Sequence, residues 1–551
     1  MDGPRFWGNR LQDWHIRDGM AECDVSDANR TLHCLTHQLT ETNGSFSIRV
    51  RANVRNKTKS PEDYIGFRIG AKSDFEDYRS AAVFGEGIDA GVKLDGHLFV
   101  GDEIGSTAVN LSNTLELSLE GSYLAEQQQY QLVIAAKNPN SGQTLQSMEV
   151  VGINPDDLEG NIALIANYQS EGHQVETPSV LFSDWRIEGS KVNADAGQTY
   201  GPICFAQYTL DRGILKMTAQ LAPIEKIGGH RVELEIQQGG QWETVQQTQV
   251  EPLSRTAHFR VGDWQYKADI PYRITVTLPL KNAEEEYHYE GTIAASPVEA
   301  EQLKTAVFSC NSHYGFPNNE VVEHVAKHGP DMAVFLGDQI YESHGGFGVQ
   351  RSPVAKASLD FLRKWYMFGW SYRDIFRHIP SAFIPDDHDV YHGNIWGEGG
   401  ADAPVEKGWN YNSQDEGGYK MPPEWVNMVQ RCLTSNLPDP YDPTPVKQDI
   451  SVYYTDWTYG GVSFAIIEDR KFKTAPKNVL PEEANVLNGF IQNREFDIKD
   501  YYDIDADLLG ETADFFFGRL GLRLERSRGD EGRAFTNQLL HAGYSPGRQY
   551  P

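Results

Sequence analysis

Between Phe6 and about Ser190 apolar residues recur at every second position, and no stretch carries the competing 3.6-residue period of a helix. The alternation is plain in "SFSIRVRANV", "YQLVIAAK" and "NIALIANY", each bounded by Gly, Asn or Asp turns. A strand with one apolar face has to bury that face against another sheet. Residues 1–192 are therefore expected to form a β-sandwich.

The segment opens with "LQDWHIRDG" and closes with "LFSDWRIEG", two Asp-Trp-x-Ile stretches expected to pair and close the sandwich. The layout resembles the concanavalin-type jelly rolls, and glycan binding by this region is what that resemblance implies. After the polar stretch "SKVNADAGQTYG" a second all-β region follows at residues 200–297, with strands "GILKMTAQL", "RVELEIQQ", "QWETVQQTQV" and "YRITVTLPL" at the even spacing of a small sandwich. An immunoglobulin-like or fibronectin III-like module fits it. "ASPVEAEQLK" reads as a linker.

From residue 303 the style changes. "TAVFSC" reads as a buried strand, "PNNEVVEHVAKHG" as a helix with Pro at its start and Gly at its end, and "DMAVFLGD" as a second buried strand. Helical text in "SLDFLRKWYMFGWSYRDIFRHI", a third apolar strand in "AFIPDDHD" and a hairpin around Gly460 and Gly461 complete a β-α-β pattern. The expected architecture is two N-terminal β-sandwiches followed by an α/β core over residues 303–517. Residues 518–551 carry six Arg, no Lys and three acidic residues with no strand or helix period, and read as an aberrant tail rather than a continuation of that core.

Composition narrows the function classes. The net charge of −29 opposes binding to a nucleic-acid backbone, which needs clustered Lys and Arg. No apolar run reaches the roughly 20 residues of a membrane helix, and "MDGPRFWGNR" has no secretory-signal pattern. The five cysteines make neither a disulfide scaffold nor a C-x-x-C zinc site; Cys23 and Cys34 are either one bridge or two buried thiols.

The groups able to do chemistry lie where the core strands end. "FSCN" places Cys310 and Asn311, "LGDQIYE" places Asp338 and Tyr341, "IPDDHDVYHGN" places Asp386, Asp387, His388, Asp389 and Asn394, and "IIEDR" places Asp469 and Arg470. In an open α/β sheet the carboxyl ends of the strands form the ligand crevice, so these groups are expected to converge. Several carboxylates in one crevice repel one another unless cations neutralise them, which points to a metal cluster. Carboxylate and amide oxygens suit Ca²⁺, Mg²⁺ or Mn²⁺, and a phenolate with a thiolate suits ferric iron. Two such ions can clamp a phosphate and activate a water, which makes phosphoester hydrolysis the natural reaction.

Each residue has a plainer reading when taken alone. Gly-Asp after a strand is a common turn, Cys310 an inert buried thiol, His388 a hydrogen-bonded core histidine, and Asp386 or Asp389 a turn cap. Arg470 either binds substrate phosphate or pairs with Asp469. His313, His344 and His392 read as supporting or surface groups. It is Asp-Asp-His-Asp directly after an apolar strand that resists a packing explanation, because adjacent carboxylates are rarely buried without partners.

The motifs "SCN", "GDQIYE", "DDHDV" and "EDR", spread over Ala306 to Arg470, resemble the alkaline phosphatase D (PhoD-like) family of metallophosphoesterases. The resemblance implies a four-layer α/β/β/α core and phosphomonoester or phosphodiester hydrolysis at a calcium and iron site, with other divalent metals as alternatives. It implies Cys310, Asp338 and Tyr341 as iron ligands, with Asp338 bridging to calcium. Asp387, Asp386 and Asn394 become further ligands, and His388 the group that meets phosphate or the leaving oxygen. A periplasmic or secreted location goes with the family. The late Gly-Asp-x-His strand of such enzymes has no match: the later Gly-Asp is in "RGDEG", and His541 is the sole histidine after Arg470. One metal pocket is expected to be incomplete, and the text from about Gly518 is expected to be out of frame or truncated relative to a full-length enzyme. The competing expectation is a glycan- or surface-binding protein carrying a phosphatase-like domain that has lost its chemistry.

Overall fold

The computed structural model describes residues 5–170, 175–224, 230–265, 267–279, 283–391, 417–468 and 470–473. The chain divides into two compact units, Met1–Ile395 with Tyr419–Lys471 and Trp396–Gly418 with Phe472–Pro551, and every element below belongs to the first. Antiparallel β-sheets dominate it and helices are few.

The N-terminal region is a two-sheet sandwich. Ser45–Val54, Leu115–Leu124, Gln129–Lys137 and Val180–Glu188 belong to a seven-stranded sheet; Arg30–Leu39, Tyr64–Lys72, Glu86–Lys93 and Gly160–Asn167 belong to an eight-stranded one. Alternate residues such as Ile48, Val50, Ile65, Phe67, Leu132 and Leu164 fill one shared core, as period-2 patterning requires. The two Asp-Trp-x-Ile stretches do not pair. Trp14–Arg17 pairs with Met20–Cys23, and Met20–Cys23 pairs with Val180–Glu188, so the tight turn at Asp18 and Gly19 inserts one short strand between them. Cys23 and Cys34 are both free buried thiols on strands of different sheets.

The next region is a three-stranded sheet (Ile203–Asp211, Ile214–Leu221, Thr256–Val261) and a four-stranded sheet (Gln241–Gln249, Arg231–Gln238, Ile270–Pro279, Glu284–Ile293). Tyr208 of the first meets Tyr272 of the second, ring centres 6.4 Å apart.

After it come three parallel strands, Thr305–Phe308, Met332–Phe335 and Ser381–Phe383, linked through helices Asn319–His328 and Val354–Phe376. Helix Pro423–Thr434 and the hairpin Tyr454–Tyr459/Val462–Ile467 follow, the hairpin turning on Gly460 and Gly461 at φ +56° and +77°. Among the described residues the parallel sheet has three strands and the hairpin sheet two, and the four-layer arrangement is not shown by them. Nor is Thr305–Phe308 a buried strand: it is an edge strand with Val307 60% exposed, and only its Ala306/Phe308 face packs inward.

That inward face sets the register. Phe308, Phe335 and Phe383 stand opposite one another on the three strands, and Phe335 stacks between the other two at 4.6 and 4.7 Å with planes within 8° of parallel. Phe368, Tyr372 and Phe376 of the long helix close over this ladder. The helix buries 17 of its 23 residues because it is covered on several sides. Trp370 packs on Trp7 of the first sandwich, Trp365 Nε1 donates to Gln220 Oε1 and Tyr366 Oη to the Leu221 carbonyl of the second. Gly369 lets Phe205 approach so closely that a Cβ would lie 2.0 Å from its ring.

Phe335→Ala is expected to cost about 3–5 kcal/mol, because it removes the middle ring of the ladder as well as its own buried area. Chemical denaturation should show a lowered midpoint for the core, and Phe335→Leu should recover most of the loss.

Candidate metal centre

The ladder delivers the strand ends to one place. Cys310 lies two residues past Phe308, Asp338 three past Phe335 and Asp386 three past Phe383. The loops that follow are tied by backbone bonds, Cys310 N to Gly337 O at 3.2 Å and Asn311 N to Asp338 O at 2.8 Å. Gly337 adopts φ +98°, and a Cβ there would sit 2.3 Å from the Asp386 Cβ, so only glycine lets the second and third strand ends meet.

Oxygens of Asp338, Asp386 and Asp387 lie within 4.8 Å of one another. Asp338 and Asp387 are buried, and Asp338 Oδ1 has no hydrogen-bond partner. The cost appears in the protonation of Asp386 and Asp338. Burial first, then the Asp387 charge, push the Asp386 carboxyl up to about 7, and burial also raises Asp338, with Asp387 adding to it against the pull of His388. Cys310 is an exposed thiol, not an inert buried one, and it interacts with both Asp338 and Tyr341. Tyr341 Oη donates to Asp338 Oδ2 at 2.9 Å, and burial followed by the Asp338 charge holds its phenol protonated.

His388 sits between acids. Its Nδ1 lies 2.8 Å from Glu342 Oε2 and its Nε2 3.8 Å from Asp387 Oδ2, with the Tyr341 ring 4.4 Å away. Burial works against its charge, but Glu342, Asp338 and Asp387 together outweigh burial and lift the imidazole to about 9. Arg470 bridges Asp386 (Nε to Oδ1, 3.2 Å) and Asp387 (2.9 Å to Oδ1). This partner was absent from both readings of Arg470 in the sequence, since the convergence of strand ends brings it carboxylates from another loop. Asp389 is the clamp: its carboxylate accepts from the backbone N–H groups of Asp338, Asp386 and Ile340, holding the two loops together.

Glu342 was missed in the sequence although it adjoins Tyr341, because a carboxylate that orients a histidine carries no spacing signal. Also missed was the support behind the loop. Arg363, buried on the long helix, donates to the carbonyls of His344, Gly345 and Gly346, and its neighbour Lys364 bonds Asp360, Tyr391 and the Gly348 carbonyl. His344 is buried against the rings of Tyr341 and His313. Asn394, Asp469, His392, His541 and residues 518–551 lie outside the described residues.

The donor set fits a hard or borderline cation. It offers three carboxylates, one of them with an orphaned buried oxygen, beside a phenol and a thiol.

No family model matches the chain, and no curated protein matches it. Among solved structures, 82% of the chain aligns with 68% of the purple acid phosphatase PPD1 from yellow lupin (Lupinus luteus) seeds, at 12% identity and a TM-score of 0.33. Over 34% of its length the chain aligns with 91% of lectin I from Ulex europaeus in complex with the methyl glycoside of α-L-fucose, at 12% identity and a TM-score of 0.23. A similar share, 34%, aligns with 84% of the VIP36 exoplasmic/lumenal domain in its Ca²⁺/Man3GlcNAc-bound form, at 7% identity and a TM-score of 0.23. The chemistry of the centre rests on its own residues.

With metal stripped by chelator, Asp386→Asn is expected to stabilise the protein by about 1–3 kcal/mol, the scale of one close like-charge contact partly offset by Arg470. Adding Ca²⁺ or Mn²⁺ should raise the melting temperature of the wild type and do much less for the variant. A lower melting temperature for chelated Asp386→Asn would show that the cluster is not repulsive.

Proposed function

We propose that this chain is a metal-dependent phosphoester hydrolase of the alkaline phosphatase D type. The observation that carries the reading is the meeting of Asp338, Asp386 and Asp387, from two different strand ends, around a buried carboxylate oxygen with no partner. Asp338, Asp386 and Asp387 are the residues to hold a cation such as Ca²⁺, with Cys310 and Tyr341 completing a ferric-type set at Asp338. Bound there, such ions supply positive charge that polarises a phosphoryl oxygen.

The chain's own residues divide the remaining work. Asp338 and Asp386, whose backbone N–H groups the Asp389 carboxylate holds, keep the carboxylates of the two loops in place to hold a cation against which the phosphoester would bind. His388 holds a proton through its bond to Glu342 and faces Asp387, the position for a group that gives this proton to the departing alkoxide oxygen. Arg470 brings a planar guanidinium to the same edge, able to leave its carboxylates for a phosphate oxygen. Asn394 would complete the ligand set.

One observation favours the competing reading of a binding protein with a lost active centre. The Arg470 guanidinium already neutralises Asp386 and Asp387, as an internal cation would in a site that no longer takes metal. Elemental analysis of the purified chain separates the two.

Release of p-nitrophenol from its phosphate mono- and diesters in the presence of Ca²⁺ is the direct test. Asp338→Ala should abolish it and His388→Gln should lower kcat by roughly 10²–10⁴. Glu342→Gln should lower kcat less and shift the alkaline limb of the pH profile to lower pH. No metal and no turnover in the wild type would remove the hydrolase reading.

A further inference from the structure

Cys310 and Asp338 both adopt the left-handed backbone conformation, at φ +56° and +53°. An aspartate enters that region at modest cost, since its short polar side chain can bond locally, but a cysteine has no such help. A residue in a sparsely populated conformation stays there only when its surroundings impose it. What imposes it on Cys310 lies one residue further on.

Asn311 is pinned at three atoms. Its backbone N donates to the Asp338 carbonyl at 2.8 Å, its Nδ2 donates to the Gln339 carbonyl at 3.2 Å, and its Oδ1 accepts from Tyr372 Oη at 2.8 Å. The partners set the orientation of this amide. A flip would turn its oxygen to the Gln339 carbonyl and its nitrogen to the Asn318 amide nitrogen, which now donates to Oδ1 at 3.4 Å. Gln339 is buried and anchored in turn, its Nε2 donating to the carbonyls of Phe335 and Ile384 at the ends of the second and third strands. Asn311 thus ties the first loop to the second, as Asp389 ties the second to the third.

Tyr372 reaches both sides of Cys310. Its ring centre lies 5.5 Å from that of Phe308, two residues before Cys310, and its hydroxyl meets Asn311, one residue after. Phe368 and Phe376, one turn to either side on the long helix, pack on the same aromatic ladder without a hydroxyl, so packing alone would be served by a third Phe. The Tyr372 side chain is buried, its hydroxyl has to find a partner in the protein, and Asn311 is that partner.

We propose that Tyr372 is a positioning residue for the metal centre: its ring holds the chain before Cys310, its hydroxyl holds through Asn311 the chain after it, and together they keep the thiol turned toward Asp338 and Tyr341. That this serves the centre rests on the reading of Cys310 as a metal ligand; that Tyr372 holds the conformation does not.

The first test needs no metal. Cys310 is exposed and the other four cysteines are buried, so alkylation of the native, chelated protein by iodoacetamide, read by peptide mass spectrometry, follows Cys310. Tyr372→Phe keeps the ring in the ladder and removes the hydroxyl. It should speed alkylation of Cys310 roughly three- to tenfold, the change in open population that loss of one hydrogen bond allows. Asn311→Ala should do at least as much. The double variant should be no faster than Asn311→Ala alone, because both changes break one bond, whereas a general loosening of the fold would multiply the two effects. The second test adds Fe³⁺ alone. The wild type should bind it with a visible absorption band from thiolate and phenolate ligands, and Tyr372→Phe should shift or weaken that band. Ca²⁺ should still raise the melting temperature of the variant, since Asp389 holds the Asp386 loop. Equal alkylation rates in wild type and Tyr372→Phe, or rates that multiply in the double variant, would overturn the held conformation. No ferric band in the wild type, with the alkylation rates as expected, would overturn the ligand reading of Cys310 and leave Tyr372 a structural residue.

Discussion

The parallel pairing that sets Phe308, Phe335 and Phe383 side by side is the constraint on which the centre depends. Three aromatic rings stacked across three strands fix the strands against sliding, because a slip of one residue would turn each ring to the other face of the sheet. Cys310, Asp338, Asp386 and Asp387 lie only two to four residues past these rings, too few for the chain to wander. Register in the apolar core therefore becomes position in the polar crevice. Gly337 and the Asp389 clamp finish the placement by allowing and then holding the close approach of two loops.

That placement works against stability. With three carboxylates within 4.8 Å, two of them buried, Asp338 and Asp386 gain affinity for protons, and Arg470 and His388 offset the repulsion only in part. A protein selected for stability alone would not keep Asp338 Oδ1 buried and unpaired. Strain gathered at one spot and supported from elsewhere is the usual signature of a functional site. The support is visible in the buried Asp360–Lys364 pair and in Arg363, which hold the following loop through its carbonyl oxygens.

The long helix makes the β-regions part of the same body as the parallel sheet. Its surroundings explain its composition: a helix with apolar and aromatic residues around its whole circumference has to be enclosed, and here Trp7, Phe205 and the aromatic ladder enclose it.

The sequence by itself determined the strand-rich text, the hairpin at Gly460 and Gly461, the three core strands and the acids at their ends. These are local signals: a period of two, a turn residue, an apolar run that stops at Gly-Asp. Only the tertiary structure decided who meets whom. Glu342 on His388, Arg470 on Asp386 and Asp387, Asp389 as clamp, the strand inserted between the two Asp-Trp-x-Ile stretches and the exposed side of Thr305–Phe308 all depend on contacts between residues distant in the chain or on what covers a face. A carboxylate reads the same in a sequence whether it repels a neighbour, orients a histidine or caps a backbone, because the difference lies in the few ångströms around it.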